Sequence, residues 1–288
     1  MELSRESDID DIAIEIGLGR IAGLRFGRQG AIPVLALHGW LDNAASFVPL
    51  ARHLAGLDLV AVDLPGHGRS AHLAVGADYS FFGSVNVVLD IADALGWERF
   101  ALLGHSMGAG IASLVAAASP RRVARFVAIE ALGALAEAPE RTAIRMREAV
   151  AAARALPQKS LRVFPVLEPA IRARMQANAL SEPVARLLVE RGTRAVEGGY
   201  VWSSDPRLTL PSFTRLIEAQ VADLIAGIEC KVRLIHGDPA QPYLPDPVRR
   251  AHAAALRDGE LIVIPGGHHL HMEQPAEVAA AIGDFFIA

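Results

Sequence analysis

Gly104-His105-Ser106-Met107-Gly108 is the stretch of this chain best suited to chemistry. It follows the apolar run Arg99-Phe-Ala-Leu-Leu103 and precedes Ala109-Gly-Ile-Ala-Ser-Leu-Val-Ala-Ala117. That order predicts a strand, a sharp turn and a helix, with a serine at the apex. Such a turn strains the serine backbone, and flanking glycines remove the Cβ atoms that would clash. The hydroxyl then stands above the sheet edge, and the helix N-terminus behind it supplies partial positive charge where an oxyanion would form.

A serine hydroxyl is a weak nucleophile at neutral pH and needs an adjacent base. His268 is the candidate, because it follows the run Glu260-Leu-Ile-Val-Ile264 through Pro265-Gly266-Gly267 and so reaches the same edge. His269 and His271 are its competitors. The base in turn needs a carboxylate to hold its tautomer and stabilise the imidazolium. Glu130 closes the run 125–129, and Asp238 follows the run 232–236 through Gly237. Either acid gives the chain order serine, acid, histidine. For the oxyanion, the expected backbone donors are the N–H groups of Met107, next to the serine, and of Trp40, in the loop His38-Gly39-Trp40. The side chains of both would line an acyl pocket, and losing one such donor costs about 10²–10³ in rate. Asp42 reads as the cap of a helix starting near residue 44. Asp63, Gly66, His67, Gly68 and Arg69 read as a structural turn beneath the site.

The elements that must place these groups follow from the apolar pattern. Residues 9–27 alternate and break at Gly17 and Gly19, as an antiparallel hairpin does. Continuous apolar runs at 32–37, 57–62, 99–104, 125–129, 231–235 and 260–264 predict strands buried on both faces. Helices are expected at 44–55, 80–96, from the serine turn to about 119, from about 246, and at 275–287. Between about 131 and 212 the alternation stops. The pattern there is helical, rich in Ala and Arg and broken by prolines at 139, 157, 165, 169, 183, 206 and 211. The fold class expected is α/β: a doubly wound, mostly parallel sheet with an inserted helical cap. Residues 1–130 and 213–288 would form the core and 131–212 the cap, lying over the C-terminal strand ends where open α/β sheets bind ligands.

The chain has 288 residues, 52% of them hydrophobic and 21% charged, as expected of a globular protein. A net charge of −4 argues against nucleic acid as partner. Nearly all basic residues are arginine, only Lys159 and Lys231 being lysines. The one cysteine, Cys230, excludes an internal disulfide framework and is expected to be a buried spectator thiol. The first residues carry charge and no apolar signal core, and no apolar stretch approaches 18 residues, so neither export nor a membrane span is expected. Metal-ligand spacings are missing, and His268-His269-Leu270-His271 lacks an obvious second ligand set. The expectation is therefore a cytoplasmic protein with a small-molecule substrate and no cofactor, metal, nucleic acid or membrane partner; a homodimer is left open.

Taken together, Leu37-His-Gly-Trp-Leu-Asp42, Val62-Asp-Leu-Pro-Gly-His-Gly-Arg-Ser70, the Ser106 turn and Pro265-Gly-Gly-His-His-Leu-His-Met-Glu-Gln-Pro275 resemble the α/β-hydrolase superfamily. The strings His38-Gly-Trp-Leu-Asp-Asn-Ala-Ala-Ser-Phe47 and Gly199-Tyr-Val-Trp-Ser-Ser-Asp-Pro-Arg-Leu208 are similar to its serine-hydrolase-like subgroup. One position departs from the common pattern. Most of the superfamily carries the acid about three residues past Gly237, where this chain has Ala240. One subgroup of haloalkane dehalogenases instead carries it in a string similar to Ala128-Ile-Glu-Ala-Leu132, and that resemblance favours Glu130. Those dehalogenases, like epoxide hydrolases, use an aspartate nucleophile, so Ser106 argues against both activities. The resemblance implies hydrolysis of an ester of a small to medium acyl group through an acyl-enzyme. It equally allows carbon–carbon or thioester cleavage by the same triad, and a catalytically silent scaffold is the non-enzymatic alternative.

Overall fold

A computed structural model describes residues 9–156 and 162–287. The proline break expected at 157 and the charged first residues lie outside them.

Strands β1 (Ile9–Ile16) and β2 (Gly19–Gly27) form the expected hairpin, turning at Gly17-Leu18. They are followed by β3 (Ile32–Leu37), β4 (Leu57–Val62), β5 (Phe100–His105) and β6 (Val123–Ile129). All lie in one eight-stranded sheet, which β9 (Lys231–Asp238) and β10 (Gly259–Pro265) complete in the order β1-β2-β4-β3-β5-β6-β9-β10. The pairs β1–β2 and β2–β4 are antiparallel and the remainder parallel.

The period of two along each strand divides the core between two faces. On one face Leu35, Leu37, Val60, Val62, Phe100 and Leu102 pack against helices α2 (Gly83–Ala94) and α3 (Met107–Ala118). On the other, Val34, Ala36, Leu59, Ala61 and Leu103 pack against the short α1 (Val48–Ala51) and the C-terminal segment. Burying each Leu, Ile or Phe is worth about 1.5–3 kcal/mol, which is why the central strands tolerate almost no polar residue. Asp58 in β4 is one of the few buried exceptions. Its buried carboxylate accepts two bonds from Arg25, at 2.7 and 2.8 Å, and one from the Gly30 amide.

Between β6 and β9 lies the insertion, with α4 (Thr142–Ala155), α5 (Glu168–Asn178), α6 (Glu182–Gly192) and the strands β7 (Thr193–Val196) and β8 (Gly199–Trp202); α7 (Glu218–Ala226) follows it and packs through Val221 and Ile225 on the main core. Helices α5 and α6 share a small core of their own, around Phe164, Ile171, Leu188 and Val189, which Met272 joins from the main body. The purely helical pattern expected for 131–212 is corrected by β7–β8. This antiparallel hairpin turns on Glu197-Gly198, with Gly198 at φ 83°, and Phe164 bridges to its Tyr200.

Two predicted helices are shorter than expected. The helix expected over 44–55 is a 3₁₀ turn, Ala44–Phe47, followed by α1, which ends at Ala51. Pro49 lacks an N–H to continue a ladder from the preceding turn and is tolerated only where a helix begins. After β9 come α8 (Asp246–Ala255), β10, the single turn α9 (Leu270–Glu273) and α10 (Pro275–Ile282). The last was expected to reach 287 but ends at Ile282, before Gly283, whose positive φ of 54° favours glycine; Phe285 and Phe286 then fold back onto the sheet.

Candidate active site

Ser106 stands between β5 and α3 with φ 51° and ψ −118°, a conformation that L-residues rarely adopt. Packing enforces it. A Cβ on Gly104 would meet the Ala109 Cα at 2.4 Å, and one on Gly108 would meet the Leu37 carbonyl oxygen at 2.0 Å. The Ser106 amide donates to the Ile129 carbonyl, which fastens the turn to β6. Met107 is the first residue of α3, where backbone N–H groups have no acceptor within the helix. Trp40 lies in the loop after β3. Its indole, about half exposed, donates from Nε1 to the Leu208 carbonyl at 2.8 Å and so ties this loop to the insertion.

His268 follows β10 through the glycine loop, and its Nε2 is 2.9 Å from Ser106 Oγ. Its Nδ1 is 3.1 Å from Glu130 Oε2. Glu130 closes β6 at φ 63°, another strained position, with its carboxylate fully buried. Oε1 accepts the Gly237 amide at 2.6 Å and lies 3.4 Å from His236 Nδ1. Burial alone would raise the pKa of this acid. The hydrogen bonds from His236, His268 and the Gly237 amide outweigh it and hold the group at about 2. The carboxylate is thus ionised across the ordinary pH range, and a charge on the His268 ring would be neutralised in place.

The competing residues fall elsewhere. Asp238 ends β9 with an exposed side chain and no bond to His268 among the described contacts. His269 and His271 are buried behind His268, and neither bonds to Ser106. Asp42 does not cap the turn at 44. Asn43 does so, its Oδ1 accepting the Ala45 amide at 3.1 Å while its amide group donates to the Leu188 carbonyl. Asp42 is instead drawn inward by Arg174 of α5 and by His269 Nε2, 3.3 Å from Oδ2. Burial works against its ionisation, but the His269 bond and the Arg174 charge hold its pKa far below the usual carboxylate range. The fold therefore supplies beside His269 the second set of ligating groups, Asp42 and His105, that spacing alone did not reveal.

Asp63 does anchor the structural turn: it accepts the Ala44 and Arg69 amides and pairs with the buried Arg191. Burial lifts the Cys230 thiol to about 11, which leaves it a poor nucleophile.

Two neighbours of the site carried no local signal in sequence. Tyr243 brings its hydroxyl to 3.2 Å from His268 Nδ1 and 3.4 Å from Nε2. Arg249 of α8, fully buried, donates to the carbonyls of Gly237 and Leu244 and so braces the strand end beside Glu130. Both belong to the segment after β9. Only a long-range view of which loop covers His268 would have found them.

Comparison with known proteins yields a family profile described as alpha/beta hydrolase fold, matching residues 32–183. A serine hydrolase-like protein of Dictyostelium discoideum is 31% identical over 97% of this chain and 82% of its own length. Lipase LipV of Mycobacterium tuberculosis is 30% identical over 90% of this chain and 94% of its own. The crystal structure of a hypothetical protein from Pseudomonas aeruginosa PAO1 superposes with a TM-score of 0.91, at 41% identity, over 96% of this chain and 99% of that one. Among the described residues, no helix is long and apolar enough to cross a membrane.

Proposed function

We propose that this chain, which belongs to the alpha/beta hydrolase fold family, cleaves an ester of a small to medium acyl group through a covalent intermediate on Ser106. The observation that carries the reading is the continuous relay from Ser106 Oγ to His268 Nε2, at 2.9 Å, and from His268 Nδ1 to Glu130 Oε2, at 3.1 Å. The lipase among the relatives supports an ester as the bond cleaved.

Ser106 Oγ attacks the ester carbonyl while its proton passes to His268 Nε2. The oxyanion is held by the Met107 N–H at the start of α3, where the helix dipole adds to the attraction, and by the Trp40 N–H. Glu130 stays ionised and stabilises the imidazolium through Nδ1–H. Collapse of the tetrahedral species breaks the bond to the alkoxy oxygen, which takes the proton from His268 and departs as the alcohol. A water then gives its proton to His268, attacks the acyl carbon and releases the acid, returning the proton to Ser106.

The test is hydrolysis of p-nitrophenyl esters from acetate to decanoate by the wild type and Ser106→Ala. The expected result is turnover that falls about 10⁶-fold in kcat in the variant, as for loss of the nucleophile in a comparable constellation. The chain-length optimum then sizes the acyl pocket. Substantial activity in Ser106→Ala, or none in folded wild type across the series, overturns the proposal.

A further inference from the structure

Behind Ser106 the fold gathers imidazoles that the hydrolytic cycle does not use. His105, His269 and His271 are all buried, and their rings lie 4.0–6.1 Å apart, centroid to centroid. Asp42 faces two of them. The His105 Nε2–H donates to the His268 carbonyl at 2.8 Å, so in the neutral ring the lone pair is on Nδ1. That Nδ1 has no hydrogen-bond partner among the described residues, and it lies 3.7 Å from Asp42 Oδ2, which can only accept. Two buried acceptors therefore confront each other with no proton between them, an arrangement that costs free energy unless a cation joins them.

His269 completes the set. Its Nε2 is 3.3 Å from the same Oδ2, while its Nδ1 is buried without a partner. Moving the ring proton from Nε2 to Nδ1 frees a second nitrogen lone pair and gives up only the bond to Asp42 itself, whose oxygen then shares the ion. The three donor atoms lie within 4.8 Å of one another. A tetrahedral zinc with ligands about 2.0–2.1 Å away needs donors about 3.4 Å apart, and two of the three pairs are already at 3.3 and 3.7 Å. Glycine at residue 39 keeps carbon away from the two donors: a Cβ there would stand 2.9 Å from His105 Nδ1 and 3.0 Å from Asp42 Oδ2.

We propose that Asp42 Oδ2, His105 Nδ1 and His269 Nε2 form a latent binding site for a borderline divalent cation of the Zn²⁺ or Co²⁺ type, with water in the fourth position. One carboxylate and two imidazoles are the donor set such ions prefer. Arg174 is its built-in competitor, since its guanidinium already occupies the other oxygen of Asp42. Occupation carries a consequence that rests on the hydrolase reading. His105 precedes Ser106 and holds the His268 carbonyl, and His269 follows His268. Drawing both rings onto a metal shifts nucleophile and base together, and a misplacement of about 1 Å costs about 10²-fold in rate. The ion is then an inhibitor.

The experiment is calorimetric titration of Zn²⁺, with visible absorption of Co²⁺ as a coordination readout. The proteins are the wild type, His269→Asn, Arg174→Met and Glu130→Gln, each checked for folding by circular dichroism. One Zn²⁺ per chain is expected. His269→Asn weakens binding by more than about tenfold, because even an outer partner of a metal ligand is worth about 10–100-fold in affinity. Arg174→Met tightens binding, and Glu130→Gln leaves it unchanged. Absence of saturable binding in the wild type overturns the proposal, as does unchanged affinity in His269→Asn. Loss of binding in Glu130→Gln places the ion on His268 instead and overturns it too. If His269→Asn does not fold, Arg174→Met still decides: affinity that stays the same or falls refutes the site. Zn²⁺ inhibition of ester turnover is expected to follow the same order among the wild type, His269→Asn and Arg174→Met. If the wild type hydrolyses no ester, the binding result stands by itself.

Discussion

Replacing Glu130 by glutamine changes one oxygen for one NH₂ group at the point where the proposed relay depends on charge. The Oε1 that accepts the Gly237 amide at 2.6 Å has an equivalent in glutamine, so the strand end keeps its partner. The atom facing His268 Nδ1 at 3.1 Å becomes a donor. Nδ1 can then only accept, and the ring proton moves to Nε2, where it points at Ser106 Oγ. The ring in that tautomer cannot take the serine proton. Acid-to-amide exchange in a well-studied serine triad left the geometry intact and lowered kcat by about 10⁴, or about 5 kcal/mol in the barrier. The same loss is expected here, in kcat rather than KM, because the carboxylate faces the histidine and not the acyl pocket. The assay is steady-state hydrolysis of the best p-nitrophenyl ester by the wild type, Glu130→Gln and Asp238→Asn. Asp238 is exposed and is expected to matter little. A Glu130→Gln enzyme within about tenfold of wild type, or a larger loss in Asp238→Asn, refutes the assignment of the acid.

The depressed pKa of Glu130 also links it to stability. The group is held at about 2 against an ordinary 4.5, so its contribution is complete above about pH 4.5 and is lost as pH falls toward 2. The shift corresponds to on the order of 3 kcal/mol. Urea midpoints of wild type and Glu130→Gln between pH 6 and 3 are expected to converge on the acid side, and parallel curves would rule this linkage out. In Gly108→Ala the new Cβ would stand 2.0 Å from the Leu37 carbonyl and 2.7 Å from that of His38. Both acceptors are backbone and cannot swing aside, so a loss of about 1–3 kcal/mol is expected together with slower fluorophosphonate labelling of Ser106. An unchanged midpoint with full labelling would show that the turn has slack.

The regular part of the architecture was legible because strands buried on both faces are read from local hydrophobicity. Runs such as Ile32–Leu37 and Leu57–Val62 have nothing polar to hide apart from Asp58, and Arg25 neutralises that residue from β2. The β7–β8 hairpin escaped because two four-residue strands around Glu197-Gly198 are too short to outweigh the helical composition surrounding them. The helix expected over 44–55 is interrupted before Pro49, whose missing N–H cannot extend the ladder of the preceding turn. Asp42 has the chain position of a helix cap. The cap went to Asn43, while two partners distant in sequence, Arg174 and His269, turned the aspartate inward.

By itself the sequence determined the strands, the turn that bears Ser106, and the fact that a histidine loop and two acids each follow a strand. Those features follow from periodicity and from where glycines permit a turn, both of which are local. It left open which acid faces His268. Resemblance favoured Glu130, but only tertiary structure put a carboxylate at φ 63° against both the Gly237 amide and His268 Nδ1. It also decided that Tyr243 and Arg249 crowd that relay, and that Asp42, His105 and His269 meet across 227 residues of chain. Such meetings are set by how strands register and helices pack, and no window of neighbouring residues records them.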